Sequence, residues 1–543
     1  MAHIITRPCC NDASCVPVCP VNCIHPTPSE PDFATAEMLY IDPDACIDCG
    51  ACVSECPVSA IIPDHAIRDE HELYVKLNAD YFTDHQVDYG YFPAQYDESV
   101  PEVVGELTVA IVGAGPAGMF AAQELLRVEK SKVDVYDRLP TPHGLVRAGV
   151  APDHQATKGI EETFSRIADD PRFTYVLGVE VGVDLTVDEL SAHYDAVLLT
   201  VGASTDRQLG IPGARLGGVI GASEFVRWYN AHPDATDLHP DFSSDTAVII
   251  GNGNVALDIA RILATPAEDL ASTDIAGHAL NALRGSAITD IYVVARRGAA
   301  DSAFTNQEFA ALMDTPQVNV LVEPETLAVD SDAAMDSTVR NKIELLGRCA
   351  VTVDERGGRR VHVRHLATPV AIVGDRRVES ISFRRTGSPD ESVTTIQAGL
   401  VIPSIGYAGT AISGLPFDAD TGTIPNVDGR VRGEDGDARP GVYVSGWIRR
   451  GPSGGIGMNK SDAKQVALAI IEDFRAGRNP LPRSYDRDAL LALAEQRGAS
   501  VVGLDGWRRI DTAELEAGRA LARARMKLTT RGEMVRIATT GRR

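Results

Sequence analysis

Apolar runs that lead directly into glycine-rich turns organise the middle of this chain. Residues 109–112 are apolar and run into Gly113-x-Gly115-x-x-Gly118, which a helical pattern follows. This order predicts a strand, a tight turn and a helix, because glycines permit the turn and let the backbone approach a pyrophosphate. The next apolar stretch ends in Asp137, an acid suited to a ribose hydroxyl. The pattern therefore predicts a dinucleotide site.

A second stretch repeats this order with a different ending. Residues 247–250 are apolar, Gly251-x-Gly253-x-x-Ala256 follows, and a helical pattern begins there. The next predicted strand, residues 291–295, ends in the pair Arg296 and Arg297 instead of an acid. Two guanidinium groups suit a 2′-phosphate, so this second site is predicted to bind NADP in preference to NAD.

A third stretch, late in the chain, also leads from an apolar strand pattern into glycines. An apolar strand pattern at residues 441–444 leads to Gly446 and Trp447, and a glycine-rich loop precedes a predicted helix over 459–474. We expect this loop to bring the chain back to the first nucleotide. Trp447 stands among glycines at a strand end, which favours stacking near a cofactor over a place in the core.

Cysteine is concentrated at the start of the chain, where nine of the ten cysteines lie within residues 9–56. One run is Cys46-x2-Cys49-x2-Cys52-x3-Cys56-Pro, and an earlier run has the same spacing but carries Asp12 at its second position. With no export signal at the N-terminus, this density points to metal binding and not to disulfides. The repeated motif is typical of iron–sulfur ligation, whereas zinc sites usually take two pairs of ligands.

The spacing also predicts how the ligands divide. In two-cluster ferredoxins the fourth cysteine of each run binds the other cluster. One [4Fe–4S] cluster is therefore expected on Cys19, Cys46, Cys49 and Cys52, and the second on Cys9, Cys15 and Cys56. The second set lacks a fourth thiolate, so it holds either a [3Fe–4S] cluster or a [4Fe–4S] cluster whose odd iron takes Asp12 or solvent. The three-iron form is favoured, because the arrangement resembles that of seven-iron ferredoxins.

Composition and charge narrow the function classes. The chain of 543 residues is 44% hydrophobic and has a net charge of −25, which argues against general nucleic-acid binding. It contains no apolar run of 18 residues, so no membrane span is expected, and the predicted location is the cytoplasm. Residues 1–106 hold 19 acidic against three basic residues. They form either a solvated surface or an acidic module that meets a basic one.

The motifs carry a family resemblance. Residues 107–475 resemble the adrenodoxin-reductase type of NADPH–ferredoxin reductase in the stretches AIVGAGPAG, LPTPHGLVRAGVAPDH, TVGASTDR, IGNGNVALDIARIL, VARRG, IPSIGY and VSGWIRRGPSGGIGMNK. With the cysteine-rich start, the whole chain resembles the actinobacterial and mycobacterial reductases that are fused to a bacterial ferredoxin.

This resemblance implies FAD at the first site and NADP at the second. The implied FAD residues are Gly113, Gly115, Ala117, Gly118, Asp137, Leu145, Val181, Trp447, Gly454, Gly455 and Ile456. The implied NADP residues are Arg207, Asn252, Gly253, Asn254, Val255, Arg296, Arg297 and Glu308, with Gly454 near the nicotinamide. His154 is similar to a family histidine near the flavin and is either a proton carrier or a structural residue. Two positions depart from the family: His143 replaces a frequent Trp, and Asp137 a frequent Glu.

The implied fold is α/β, with two Rossmann-like domains of the glutathione-reductase kind behind a small α+β ferredoxin domain. The expected boundaries are 1–65 for the ferredoxin, 66–106 for a linker, 107–205 and 400–475 for FAD, and 206–399 for NADP. Residues 476–543 form an extension without a chemical assignment. The linker is aromatic enough to pack between modules.

The expected activity follows from the cofactors. NADPH gives up two electrons at once and an iron–sulfur cluster takes one, so a flavin must stand between them. The chain is expected to reduce its own or an external ferredoxin, and through it a terminal redox protein such as a cytochrome monooxygenase. The alternative is an electron-transfer subunit of a larger complex, like the small subunit of glutamate synthase.

Overall fold

The computed structural model describes residues 2–87, 105–324, 327, 335–349, 358–388, 392–433, 436–479 and 485–540. Its elements fall into an N-terminal module, two nucleotide-binding domains and a set of C-terminal helices. The fold class confirms the expectation of two parallel-sheet domains behind a small α+β module.

Short elements build the N-terminal module. They are β1 (Ile4–Ile5), β2 (Ile24–His25), β3 (Tyr40–Ile41), α1 (Ala51–Glu55), β4 (Ile61–Ile62) and α2 (Glu72–Asp84), with 3₁₀ turns at Pro31–Ala34, Asp64–Ala66 and Asp69–His71. Strand β1 pairs antiparallel with β4, and β2 with β3. The cysteines therefore lie in loops that these two ladders hold together.

Helix α2 corrects the expected linker over 66–106, because it is part of the module. The Asn78 amide accepts from the backbone of Ile5 (3.1 Å) and Ile41 (2.8 Å), and Tyr81 stacks on Tyr40 with ring centroids 4.5 Å apart. These contacts bury one face of an acidic stretch. The acidic composition alone does not indicate such a face. Tyr89, Tyr91, Phe92 and Pro93, which the sequence predicts to pack between modules, lie outside the described residues.

A seven-stranded sheet forms the first nucleotide-binding domain. Its elements up to the crossover are β5 (Leu107–Val112), α3 (Pro116–Leu125), β6 (Ser131–Asp137), α4 (Leu145–Ala148), α5 (Gln155–Lys158), α6 (Ile160–Ala168), β7 (Phe173–Leu177), α7 (Val187–Ser191), β8 (Ala196–Leu199) and β9 (Thr205–Asp206). Strands β8, β5, β6 and β7 run parallel in that order. Every residue of β5 is buried, as expected for a parallel strand covered on both faces.

A five-stranded parallel sheet forms the second domain. Its elements are α8 (Ala222–Tyr229), a 3₁₀ turn (Pro233–Ala235), β10 (Thr246–Ile250), α9 (Asn254–Ala264), α10 (Ala267–Leu270), α11 (Gly277–Arg284), β11 (Asp290–Val294), a 3₁₀ turn (Ala299–Asp301), α12 (Asn306–Met313), β12 (Val318–Val322), α13 (Ser337–Cys349), β13 (Arg359–Arg364), β14 (Ala367–Val373), β15 (Ser380–Arg385), β16 (Val393–Gln397) and β17 (Leu400–Pro403). The strand order is β12-β13-β11-β10-β17, and β14–β16 form a separate antiparallel sheet.

The chain then returns to the first domain. The returning elements are β18 (Tyr407–Ala408), β19 (Asn426–Val427), β20 (Arg430–Arg432), β21 (Ala438–Val444), α14 (Trp447–Arg450) and α15 (Met458–Arg475). Strand β21 joins the seven-stranded sheet beside β8. Because β17 pairs with β10, the boundary that we expected at residue 400 lies beyond residue 403.

Three helices follow, α16 (Arg487–Gln496), α17 (Leu504–Ala520) and α18 (Arg531–Thr539). Among the described helices, none is both long and apolar enough to cross a membrane.

Candidate functional site

The first glycine turn is too tight for side chains. A Cβ on Gly113 would lie 2.5 Å from the Thr200 carbonyl oxygen, and Gly113 has a positive φ of 114°. Asp137, at the end of β6, accepts from the backbone N–H of Ala114 and of Leu139, each at 2.9 Å. Burial raises the pKa of Asp137. The turn therefore forms a backbone cradle at the start of α3 with one carboxylate beside it.

The third glycine stretch lies against this cradle. A Cβ on Gly446 would lie 2.8 Å from the Ala117 side chain, in the first turn of α3. Trp447 donates from its indole N–H to the Ser453 carbonyl (3.1 Å) and stacks on Tyr407, with ring centroids 5.9 Å apart. The late loop thus returns to the first nucleotide-binding turn.

The other residues that we expected at FAD lie around the same sheet edge. Leu145 begins α4 and is 42% exposed, and Val181 is half-buried in the hydrophobic cluster behind β8. Gly454 and Gly455 are exposed and Ile456 is half-buried, in the loop before α15.

The C-terminal extension supports the loop after β6, which the sequence did not predict. His143 is buried and its ring faces Trp507, with centroids 5.6 Å apart. Arg147, in α4, donates to the fully buried Glu514 at 2.6 Å. Lys527 donates to the Arg147 carbonyl at 2.9 Å. Helix α17 and the segment that follows it therefore hold α4 and its neighbouring loop in place.

The second glycine turn opens α9, with Gly253 as its N-cap and Asn254 and Val255 in its first turn. The Asn254 side chain accepts from the Thr305 N–H at 2.9 Å. Asn252 is buried, and within the described residues its amide nitrogen has no partner. An unpaired buried donor beside a helix N-terminus fits an anionic ligand.

The three arginines that we expected at this site are exposed. Arg296 and Arg297 follow β11, as the sequence predicted. Arg207 follows β9 at the crossover between the domains, where it donates to the Tyr407 carbonyl at 3.3 Å. Arg296 and Arg297 therefore lie at a strand end of the second domain, whereas Arg207 lies at the crossover between the domains.

Glu308 and His154 belong to one charged cluster, which we call the inter-domain cluster: Arg7, Asp153, His154, Asp258, Arg261 and Glu308. Arg7 comes from the N-terminal module and reaches Glu308 at 3.0 Å. His154 lies 2.6 Å from Arg261 and 3.7 Å from Glu308, and it also contacts Arg7. Neither Arg7 nor Arg261 could be assigned to this cluster from the sequence, since neither lies in a glycine turn.

In the inter-domain cluster, Arg7 and Arg261 pair with the carboxylates of Asp153, Asp258 and Glu308, so two positive charges face three acidic groups. Burial lowers the pKa of His154 to about 4, so the ring is neutral near pH 7. Burial opposes ionisation of Asp153, but the adjacent Arg261 outweighs it and holds the pKa of Asp153 at about 2. Arginine only donates, so the His154 Nε2 accepts. The carboxylates of Asp258 and Glu308 lie close enough to His154 for a metal ion, but two guanidinium groups already neutralise them.

The thiols of the N-terminal module divide into two groups. Cys19, Cys46, Cys49 and Cys52 line one cavity together with Cys23, whose sulfur lies 3.4 Å from that of Cys19. Cys9, Cys15 and Cys56 lie within electrostatic range of one another and of Asp12. In the described part of the chain no three of these thiols come within 4.8 Å of each other, which a single metal ion would need. The spacing fits clusters and not zinc.

The N-terminal module is docked on both nucleotide-binding domains. The backbone N–H of Gly457, next to the late glycine loop, donates to the Cys10 carbonyl at 2.7 Å. On the second domain, Glu37 accepts from the Asn306 N–H (2.7 Å) and lies 3.4 Å from Lys342. The acidic module therefore does meet basic side chains of the reductase part.

Comparisons with known proteins agree with this arrangement. A family model described as pyridine nucleotide-disulphide oxidoreductase matches residues 107–342, and a 4Fe-4S binding domain model matches residues 39–62. The second match contains the second cysteine run and not the first, which carries Asp12.

Relatives match over nearly the full length. A probable ferredoxin/ferredoxin–NADP reductase of Mycobacterium bovis is 46% identical over 99% of this chain and 95% of its own. The NADPH-ferredoxin reductase FprA of Mycobacterium leprae is 42% identical over 79% of this chain and 98% of its own. The solved structure of Mycobacterium tuberculosis FprA in complex with NADPH has a TM-score of 0.75 at 40% identity, and it covers 80% of this chain and 100% of that one. The chain belongs to the family of ferredoxin/ferredoxin–NADP reductases.

Proposed function

We propose that this protein oxidises NADPH and passes the electrons singly, through FAD, to iron–sulfur clusters in its own N-terminal module and then to an external acceptor. The observation that carries the proposal is the hydrogen bond between Gly457 and Cys10. It joins the loop expected at the flavin to the loop that carries cluster ligands. The relatives named as reductases and the NADPH complex of FprA support it.

The cofactor sites fit their groups by shape and chemistry. FAD is proposed at the first glycine turn, with the FAD residues named in the sequence analysis as its contacts, and the close approach of Gly446 to Ala117 supports this. NADPH is proposed at the second turn, with the unpaired Asn252 amide toward the dinucleotide and Arg296 and Arg297 on the 2′-phosphate. Bound FAD would supply a two-electron acceptor for hydride and a one-electron donor for the clusters.

The chain's own residues orient the partners and exclude water. Trp447 is fixed by its stacking on Tyr407 and its bond to Ser453, so it presents a rigid wall at the first site. Orientation and exclusion of water are what hydride transfer requires of a protein.

His154 is proposed as a positioning residue. Its Nε2 accepts from guanidinium groups, and its ring is neutral near pH 7 because burial lowers the pKa to about 4. Near pH 7 the Nε2 atom of His154 therefore carries no proton to donate, which disfavours the alternative role of a proton carrier. The neutral ring instead spaces the charges of Glu308 and Asp258.

For the Cys9, Cys15 and Cys56 site we propose a [3Fe–4S] cluster. The Asp12 carboxylate is bonded to the Ser14 hydroxyl and lies 3.4 Å from Lys460. These two partners compete with iron for the carboxylate that stands at the second position of the motif, where the earlier run lacks a cysteine. Cys19, Cys46, Cys49 and Cys52 are proposed to hold a [4Fe–4S] cluster. The 4Fe-4S family match over residues 39–62, which contains the last three of them, supports this proposal.

The subunit alternative is not favoured, because a relative of nearly the same length is itself named a reductase. A direct test is reduction of cytochrome c by the purified holoprotein alone. We expect turnover with NADPH and much slower turnover with NADH. Turnover that appears only after a partner protein is added would contradict the proposal. A cytochrome monooxygenase remains a candidate acceptor, and a cytoplasmic location remains a prediction of the sequence.

A further inference from the structure

The two predicted cluster sites face different directions. We call Cys9, Cys15 and Cys56 the inner site, and Cys19, Cys46, Cys49 and Cys52 the outer site. We propose that the module is docked with the inner site toward the flavin loop and the outer site toward solvent, and that Lys460 holds this orientation. The proposal rests on the proposed function, since it assigns an order to its two clusters.

A close backbone contact fixes the inner side. The Cys10 carbonyl accepts from the Gly457 N–H, and a Cβ on Gly457 would overlap the carbonyl carbon of Asn11. Gly457 has a φ of −69°, which any residue adopts. Glycine is therefore required here by the contact between modules and not by the backbone conformation.

Lys460 adds a charged contact one turn further along. Its ammonium group donates to the Ser14 hydroxyl at 2.8 Å and lies 3.4 Å from the Asp12 carboxylate, which is 10% exposed. Asp12, Cys56 and Lys460 line one cleft of about 810 Å³ between the modules. A reductase cation therefore lies beside the inner site.

A third contact comes from the other cysteine run. A Cβ on Gly159, at the start of α6, would lie 3.0 Å from the Pro57 carbonyl oxygen, directly after Cys56. Both chain segments that bring inner-site cysteines therefore contact the first nucleotide-binding domain.

The outer site, unlike the inner site, faces away from the nucleotide-binding domains. Its cavity is lined only by residues of the N-terminal module. Cys49 is exposed, and the neighbouring Ile47 is 59% exposed. An external acceptor would meet the outer site, because the module itself covers the reductase face beside the flavin loop. This order also makes direct docking of a separate ferredoxin on that face incompatible with the docked module.

The position of Lys460 provides a test by redox potential. A cluster gains negative charge on reduction, so a nearby cation stabilises its reduced form and raises its potential. Lys460→Met in the holoprotein should lower the midpoint of the inner cluster and leave that of the outer cluster unchanged. Lys460→Arg keeps the positive charge, so it should keep the midpoint of the inner cluster near the wild-type value. Lys464→Met, one turn further along the same helix, should lower that midpoint less than Lys460→Met does.

Electron paramagnetic resonance during a chemical redox titration measures both midpoints, and loss of a signal in Cys15→Ala assigns the inner cluster. A shift confined to the outer cluster, or equal effects of Lys460→Met and Lys464→Met, would overturn the proposal. The titration uses a chemical reductant, so its outcome does not depend on NADPH oxidation. Failure of the proposed function and failure of this orientation are therefore distinguishable.

Zero-length cross-linking gives a readout that is independent of the clusters' spectra. A carbodiimide joins an amine to a carboxylate in direct contact, so the holoprotein should yield a Lys460–Asp12 amide in peptide mass spectrometry. The link should vanish in Asp12→Asn. Links from Lys460 to Asp44 or Asp48, in the outer-site loop, would show the opposite docking and contradict the proposal.

Discussion

The guanidinium group of Arg7 lies 3.0 Å from the Glu308 carboxylate, and the pair joins the N-terminal module to the second nucleotide-binding domain. Their side chains are only 23% and 12% exposed. Arg7→Met leaves Glu308 partly buried without this partner, so we expect a loss of about 2 kcal/mol of stability. The measurement is the urea midpoint followed by cluster absorbance. Arg68→Met, an exposed arginine of the same module, should stay within about 0.5 kcal/mol of the wild type. Equal midpoints for both variants would contradict the role of the pair.

We predict that the preference for NADPH over NADH depends on Arg296 and Arg297. Replacing both by glutamine removes two charged donors for a 2′-phosphate, each worth about 1.5–3 kcal/mol. We expect the ratio of kcat/KM for NADPH over NADH to fall by at least about 100-fold. The matched control is the double glutamine variant of Arg384 and Arg385, which also form an exposed pair at the end of a strand. Retained NADPH preference in the first variant would refute the phosphate assignment.

The division of the cysteines predicts which thiols each cluster needs. The Cys23 sulfur lies 3.4 Å from that of Cys19, so the informative variant changes both to alanine and leaves no nearby thiol in place of Cys19. We expect it to lose the outer cluster signal and the corresponding iron, while Cys23→Ala and Cys10→Ala keep both clusters. Iron analysis and electron paramagnetic resonance measure this. Two intact clusters in the double variant would mean that Cys19 is not a ligand.

The partly buried His154, whose side chain is 12% exposed, is expected to make stability depend on pH. Its folded pKa of about 4 lies below the ordinary 6.5, so between these values the unfolded chain binds a proton that the folded chain does not. Stability therefore rises with pH across this window and is lost on acidification, by up to about 1.4 kcal/mol per pH unit. His154→Gln should flatten the slope of unfolding midpoint against pH from 4 to 6.5. His65→Gln, an exposed control, should keep the wild-type slope. An unchanged slope in His154→Gln would contradict the assignment.

The sequence predicted the nucleotide-binding turns well because their physics is local. Gly113 and Gly118, or Gly251 and Gly253, lie within a few residues of the strand and helix that they connect. The repeated spacing also predicts the exchange of the fourth cysteines, and in the structure Cys19 lines one cavity with Cys46, Cys49 and Cys52.

Contacts between residues that are far apart along the chain could not be predicted from the sequence. Gly457 reads as one more glycine of a loop, and only the docked Cys10 segment explains why no side chain fits there. Arg7 precedes the first cysteine and carries no motif, yet it completes the inter-domain cluster. The acidic composition of helix α2 predicts a linker, because it does not indicate that Asn78 and Tyr81 are buried.

Electrons from NADPH are expected to reach the iron–sulfur clusters of the same chain. Anaerobic titration of the holoprotein with NADPH, followed by absorbance and electron paramagnetic resonance, tests this expectation most directly. We expect the flavin absorbance to bleach and the cluster signals to change in the same titration, without any added protein. Complete bleaching of the flavin with unchanged cluster signals would contradict the account.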